Sequence, residues 1–177
     1  MTRALLVVPR RGLAINQYRR ARRLLEQRRV QVQVAAPRRE DVTEERFSLV
    51  PDMELGGVRG GDFDLVVFVG GRGNKEVWYL PEAHRVAREA LEAGKVVGAI
   101  GTGIGVLIHA GLLRGLRATA PPSLVPMLDE VGARYADSPP VVVDDGVVTV
   151  RRPEVMEAFV VELLEQVERR REAARAA

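Results

Sequence analysis

Two short stretches, residues 65–69 (LVVFV) and 96–100 (VVGAI), carry no polar side chain, and each is stopped by glycine, at Gly70-Gly71 and at Gly101. A strand with one wet face alternates apolar and polar residues. A strand with no polar position is buried on both faces, which is the situation of a parallel sheet covered by helices above and below. The intervening chain supports that plan. Ala83, Val86, Ala87, Ala90 and Leu91 recur at helical spacing after Pro81 and before Gly94, so a helix crosses over between the two strands.

The same alternation runs through the rest of the chain. Residues 3–8 predict a first strand ending at Pro9, residues 14–29 a helix with Tyr18, Ala21, Leu24 and Leu25 inward, and Val30, Val32 and Val34 a half-exposed strand near a sheet edge. Periodicity fades over 37–61, a loop or small hairpin excursion. The loop 72–80 lies over the carboxyl end of the 65–69 strand. After Gly103 a helical pattern through Val106, Leu107, Ala110 and Leu113 stops near Gly111 and Gly115. Residues 123–131 predict another helix, VVVDDGVVTV a hairpin through its Asp-Gly pair, and Pro153 the start of a long last helix reaching at least Val167. Residues 1–170 read as one domain, with 171–177 a frayed tail.

Strands alternating with helices form an open, mainly parallel sheet, and ligands of such sheets bind at the carboxyl ends of the strands. Three segments converge there: 9–14, 70–76 and 101–105. Composition narrows what they do. The chain has no cysteine, which removes disulfides, thiolate chemistry and cysteine-bound metal together. Only Lys75 and Lys95 are lysine, so the net charge of +3 is carried by arginine, a bias that fits a heat-adapted source. Many of these arginines alternate with glutamate or crowd the exposed face of the first helix, so nucleic acid is not an expected partner. No stretch approaches the ~20 apolar residues of a membrane span, and the short apolar start is no signal peptide, so the expected location is cytoplasmic.

The glycines at 98, 101, 103 and 105 lie past mid-chain without the spacing of a dinucleotide fingerprint, and Ala118-Thr119 stand where its acid belongs. His84 and His109 have no paired spacing for metal; His84 falls on an exposed helix face and His109 reads as a packing or capping residue. No metal or cofactor is expected. What remains is a nucleophile on the turn at Gly101, backed by helix N–H groups.

At that turn the run Gly94-Lys95-Val96-Val97-Gly98-Ala99-Ile100-Gly101-Thr102-Gly103, followed by Ala110-Gly111-Leu112-Leu113-Arg114-Gly115 and Thr119, resembles the ThiJ/PfpI family. The similarity extends to Asp62-Phe63-Asp64, Gly70-Gly71-Arg72, Gly132-Ala133 and 141–153. The resemblance implies a flavodoxin-like three-layer α/β/α sandwich related to class I glutamine amidotransferases, and assembly into a homodimer or higher homo-oligomer. It also implies a cysteine where this chain has Gly101, a histidine where it has Thr102, and a glutamate that contacts the cysteine where it has Ala14. Cysteine-dependent activity is therefore not expected.

Thr102 as a substitute nucleophile would need a base; its hydroxyl suits a cap on the following helix. Glu76, in a loop that lends an acid to a neighbouring subunit in some family members, is a weak catalytic candidate. Two functions stay open. One is a non-catalytic family member that holds a small anionic ligand at Gly71, Arg72, Gly101, Thr102 and Gly103, or serves as an oligomeric scaffold. The other is a peptidase, deglycase or glyoxalase-like hydrolase or lyase working without cysteine. Val77, Trp78, Tyr79 and Leu80 are the apolar cluster expected at a subunit contact.

Overall fold

A computed structural model describes residues 1–177. Eleven strands form: β1 (Arg3–Val7), β2 (Gln31–Ala36), β3 (Val42–Glu44), β4 (Phe47–Leu49), β5 (Met53–Glu54), β6 (Leu65–Phe68), β7 (Val96–Ile100), β8 (Arg117–Ala118), β9 (Arg134–Tyr135), β10 (Val141–Asp144) and β11 (Val147–Val150). The helices are α1 (Ile15–Gln27), α2 (Lys75–Trp78), α3 (Pro81–Glu92), α4 (Ile104–His109), α5 (Val125–Glu130) and α6 (Met156–Ala176).

Seven strands make the main sheet in the order β10-β11-β7-β6-β1-β2-β5. All neighbours run parallel except β10, which pairs antiparallel with β11 through a turn at Asp145 (φ 43°) and Gly146 (φ 78°). Two positive φ values at a two-residue turn match the twist of the flanking strands, which is why the Asp-Gly pair makes a hairpin there.

Period-two alternation divides the central strands between two cores. Leu5, Val7, Val66, Phe68, Val97 and Ala99 face one layer with Ala83, Val86, Ala87 and Ala90 of α3 and Ile104 to Ile108 of α4. Ala4, Leu6, Val67 and Ile100 face the other with Tyr18, Ala21, Leu24 and Leu25 of α1 and Phe159, Val160 and Leu163 of α6. The sheet is therefore the middle of three layers, and the expected mainly parallel flavodoxin-like α/β/α sandwich is the observed fold.

The departures are local. The loop 72–80 contains α2, and the segment expected as one helix from 123 is a 3-10 turn, Pro122–Leu124, leading into the shorter α5. Pro126 has no N–H to donate to the carbonyl of residue 122, a bond that a continuous helix would make. The tail expected to fray is helical through Ala176. Its last turns are anchored by long-range ion pairs that no local pattern announces: Arg170 to Asp145 (3.1 Å) and Arg171 to Asp64 (3.1 Å).

Candidate functional site

The three expected segments do meet, at the carboxyl ends of β1, β6 and β7. Leu13 bridges Gly71, the Ala14 N–H donates to the Gly70 carbonyl (3.0 Å), and the Gly73 N–H donates to the Gly12 carbonyl (3.3 Å). The two loops approach so closely that a Cβ on Gly71 would lie 2.0 Å from the Gly12 oxygen. Glycine is required here by contact between main chains.

Gly101 closes β7 with φ 55° and is buried. This left-handed conformation disfavours any residue with a side chain by roughly 1–2 kcal/mol. Space, by contrast, is present: a Cβ on Gly101 would meet nothing nearer than Gln17 Nε2 at 3.4 Å and Gln17 Oε1 at 3.9 Å. The turn thus keeps the backbone of a nucleophile elbow and room for a small side chain, without the side chain. The group facing it is Gln17, from the first turns of α1. Ala14, at the position where the glutamate was expected, uses its N–H to join the loops. Gln17 Oε1 is buried without a hydrogen-bond partner. A carboxamide does not exchange protons near neutrality, so the group nearest Gly101 is neither an acid nor a base.

Thr102 is occupied on both sides. Its Oγ1 accepts the Gly71 N–H (2.9 Å) and an Asn74 Nδ2–H (3.3 Å), and donates to the Gly71 carbonyl (2.9 Å). Its own carbonyl accepts the Trp78 indole N–H (2.7 Å). The hydroxyl therefore does not cap the next helix, since α4 has no side-chain cap at all. Asn74 is buried and also donates to the Val69 carbonyl (2.6 Å), so the Gly71 clamp sits on a satisfied polar network. A hydroxyl whose proton and acceptor sites are engaged in this way has no base to activate it.

Both histidines belong to Trp78. His84 Nε2 lies 2.6 Å from the Trp78 carbonyl, so it is half-buried against the loop and not on a free helix face. The His109 ring stacks on the indole, with centroids 5.8 Å apart and planes at 29°. Burial holds the His109 pKa below its ordinary value, and proximity to His84 lowers it further. Glu76 is exposed on α2 and pairs with Arg10 Nε at 3.2 Å. No cluster of three or more His, Asp or Glu side chains is placed to hold a metal ion.

Beside the elbow lies a cavity of about 310 Å³, walled by Arg72, Lys75, Trp78, Thr102, Ser123 and Met127 together with Gly71 and Leu124. Of the five positions expected to seat an anion, Gly71, Arg72 and Thr102 line it. Gly101 and Gly103 do not: the Gln17 amide covers Gly101, and Gly103 is packed so tightly on β6 that a Cβ would lie 2.3 Å from the Phe68 oxygen. The helix behind the elbow is only six residues long, and its first N–H, from Ile104, is already directed to the Gly101 and Thr102 carbonyls. Charge in the cavity therefore comes from side chains. Arg72 and Lys75 are exposed, enter none of the ion pairs of the molecule, and share the cavity with no acid.

Sequence reasoning missed Gln17, Lys75, Ser123 and the inward side of Trp78. Of the cluster expected on a subunit surface, Val77 and Trp78 are core residues, and only Tyr79, 61% exposed, stands out from the surface. Trp78 turns inward because Gly105 leaves it room: a Cβ there would lie 2.2 Å from the indole ring.

Residues 3–166 match the DJ-1/PfpI family. Among individual proteins, the uncharacterized protein MJ0967 of Methanocaldococcus jannaschii is 36% identical over 118 residues, which span 65% of this chain and 57% of that protein. Deglycase PH1704 of Pyrococcus horikoshii is 32% identical over 118 residues, 67% of this chain and 70% of that one. The crystal structure of Drosophila melanogaster DJ-1beta superposes with a TM-score of 0.83 at 26% identity, covering 98% of this chain and 97% of that chain. Other relatives carry the names of deglycases and of a glutathione-independent glyoxalase.

Proposed function

The chain belongs to the DJ-1/PfpI family, and from that premise we propose that it is a non-catalytic member, which binds a small anionic metabolite beside the former elbow and does no chemistry at it. One observation carries this reading: the elbow residue is Gly101, held at φ 55°, with the carboxamide of Gln17 before it in place of an acid. The unpaired cations Arg72 and Lys75 beside it supply the attraction for an anion, and Trp78 and Met127 supply a wall that excludes water. Relatives named as deglycases and a glyoxalase motivate the opposite reading, a hydrolase or lyase working through Thr102, Glu76 or a bound water. Thr102 lacks a base and Glu76 is tied to Arg10, which weighs against it.

The test is direct. Purified protein is incubated with methylglyoxal, with a glycated amine and with a peptide substrate, and is separately melted in the presence of a panel of carboxylates and phosphates. The reading expects no turnover above buffer and a rise in melting temperature with a subset of anions. Turnover that Thr102→Ala abolishes would replace it with the enzymatic reading. Self-association into a dimer or larger homo-oligomer belongs to the same proposal, with the exposed Tyr79 in the contact. Sedimentation of the wild type and of Tyr79→Glu tests it: a smaller species for the variant is expected, and an unchanged one removes Tyr79 from the contact.

A further inference from the structure

We infer that the ligand of the Arg72–Lys75 cavity is an amphiphilic monoanion, one terminal carboxylate on an apolar, preferably aromatic, body, and that Trp78 is the surface on which this body rests. The inference rests on the anion-binding reading and sharpens it. The side chains lining the cavity with polar hydrogens free for a ligand are those of Arg72, Lys75 and Ser123. The remaining wall is hydrocarbon: the Trp78 ring, Leu124 and Met127.

The indole cannot offer its N–H to a ligand, because that proton is committed to the Thr102 carbonyl at 2.7 Å. Nor can the Thr102 hydroxyl turn toward a ligand, since Gly71 engages it as donor and as acceptor. Two groups that look polar by residue type are thus spent within the protein, and neither has a polar hydrogen left for a ligand. A fully hydrophilic anion such as phosphate would leave that wall unused and would gain nothing from its burial.

The indole is also fixed before any ligand arrives. His109 stacks on it at 5.8 Å, Gly105 lets it seat against α4, and the bond to Thr102 sets its rotation. A rigid aromatic wall loses little entropy on binding, which favours a flat partner over a flexible chain. The volume of about 310 Å³ lies at the lower end for small-molecule sites, which limits the body to about one ring and a short linker.

Trp78 is the only tryptophan in the chain, so intrinsic fluorescence reports this wall alone. The full-length protein is titrated with 3-phenylpropionate, hexanoate, acetate, inorganic phosphate and the neutral 3-phenylpropionamide, following emission at fixed excitation and confirming each result by calorimetry. Saturable binding of 3-phenylpropionate is expected, with hexanoate weaker, the amide weaker by tenfold or more, and acetate and phosphate silent. Arg72→Ala and Lys75→Ala should each weaken 3-phenylpropionate binding severalfold while leaving the melting temperature of the free protein unchanged. Phosphate or acetate binding as tightly as 3-phenylpropionate would overturn the amphiphilic assignment and leave the anion reading standing. Binding of the amide as tight as that of the acid, or no binding by any of the five, would overturn both.

Discussion

Replacing Thr102 by valine removes one oxygen, keeps the shape of the side chain, and strikes the contact that joins the β6 and β7 loops. The lost atom accepts the Gly71 N–H at 2.9 Å, donates to the Gly71 carbonyl at 2.9 Å, and receives a longer contact from Asn74 at 3.3 Å. Asn74 keeps its 2.6 Å bond to the Val69 carbonyl, so its loss is small. The Gly71 N–H is the group left without a partner, since the Gly71 carbonyl still accepts the Asn74 N–H at 3.2 Å. A buried group left unpaired costs about 1–3 kcal/mol, and half-burial of Thr102 puts it near the lower end, which gives about 1–2 kcal/mol. For a chain of this length that corresponds to a fall of roughly 2–8 °C in Tm. Urea titration followed by circular dichroism measures the free energy, and thermal melts check it. Thr102→Ser, which restores the oxygen, should come back to within about 1 kcal/mol of wild type. A valine variant as stable as wild type would mean that the clamp does not hold the loops together. A serine variant as unstable as the valine would show that the methyl group, not the hydroxyl, carries the effect.

Two glycines of the same turn should separate strain from crowding. Gly101→Ala meets only van der Waals contact with Gln17 and costs about 1–2 kcal/mol for φ alone, whereas Gly105→Ala drives a methyl into the Trp78 ring and should cost more and shift the tryptophan emission; equal losses in urea titrations would remove the distinction. Burial would raise the Asp64 pKa, but the Arg3 N–H (2.9 Å), then Arg171 and Lys95, outweigh it and hold the carboxyl below its ordinary value. Its contribution is therefore present above the unfolded pKa of about 4 and lost as pH falls through the lower folded value, so Asp64→Asn should cost about 1–3 kcal/mol at pH 7 and progressively less in acid; a pH-independent difference would contradict the assignment. His109 is held mainly by burial below its unfolded value near 6.5, so folding disfavours its protonated form and stability should decline as pH falls from about 6.5 toward the folded pKa. His109→Phe keeps the ring against Trp78 and removes the proton, so melts between pH 7 and 5 should show the variant losing less stability than wild type.

The sheet was legible because burial on two faces leaves a trace in each strand separately: residues 65–69 and 96–100 need no knowledge of their neighbours to be recognised as interior. The convergence of 9–14, 70–76 and 101–105 followed from topology, and the absence of a side chain at 101 is read from the sequence itself. What escaped were properties fixed by pairs distant in sequence. Whether Ala14 or Gln17 faces Gly101 depends on how α1 leaves the Leu13–Gly71 bridge. The fate of the Thr102 hydroxyl depends on Gly71, 31 residues away. Trp78 read as a surface aromatic because the cavity that takes it is made by a missing Cβ at Gly105, on another helix. The last turns of α6 have a charge pattern that also suits a frayed end; Asp64 and Asp145 decide otherwise.

Those pairs also explain how an elbow can persist without its nucleophile. In an enzyme the left-handed residue at the end of β7 is strained, and the strain is tolerated because the side chain reacts. Glycine at 101 holds the same left-handed turn, at φ 55°, without that strain. Thr102, Asn74, Gly71 and Trp78 then hold the geometry by hydrogen bonds that involve no substrate. The cavity beside them is built from the same residues, so conserving the clamp conserves the cavity as well. On the proposed non-catalytic reading, binding at Arg72 and Lys75 is open to change independently of Gly101, because the side chains of these two cations enter no ion pair or side-chain hydrogen bond that holds the turn.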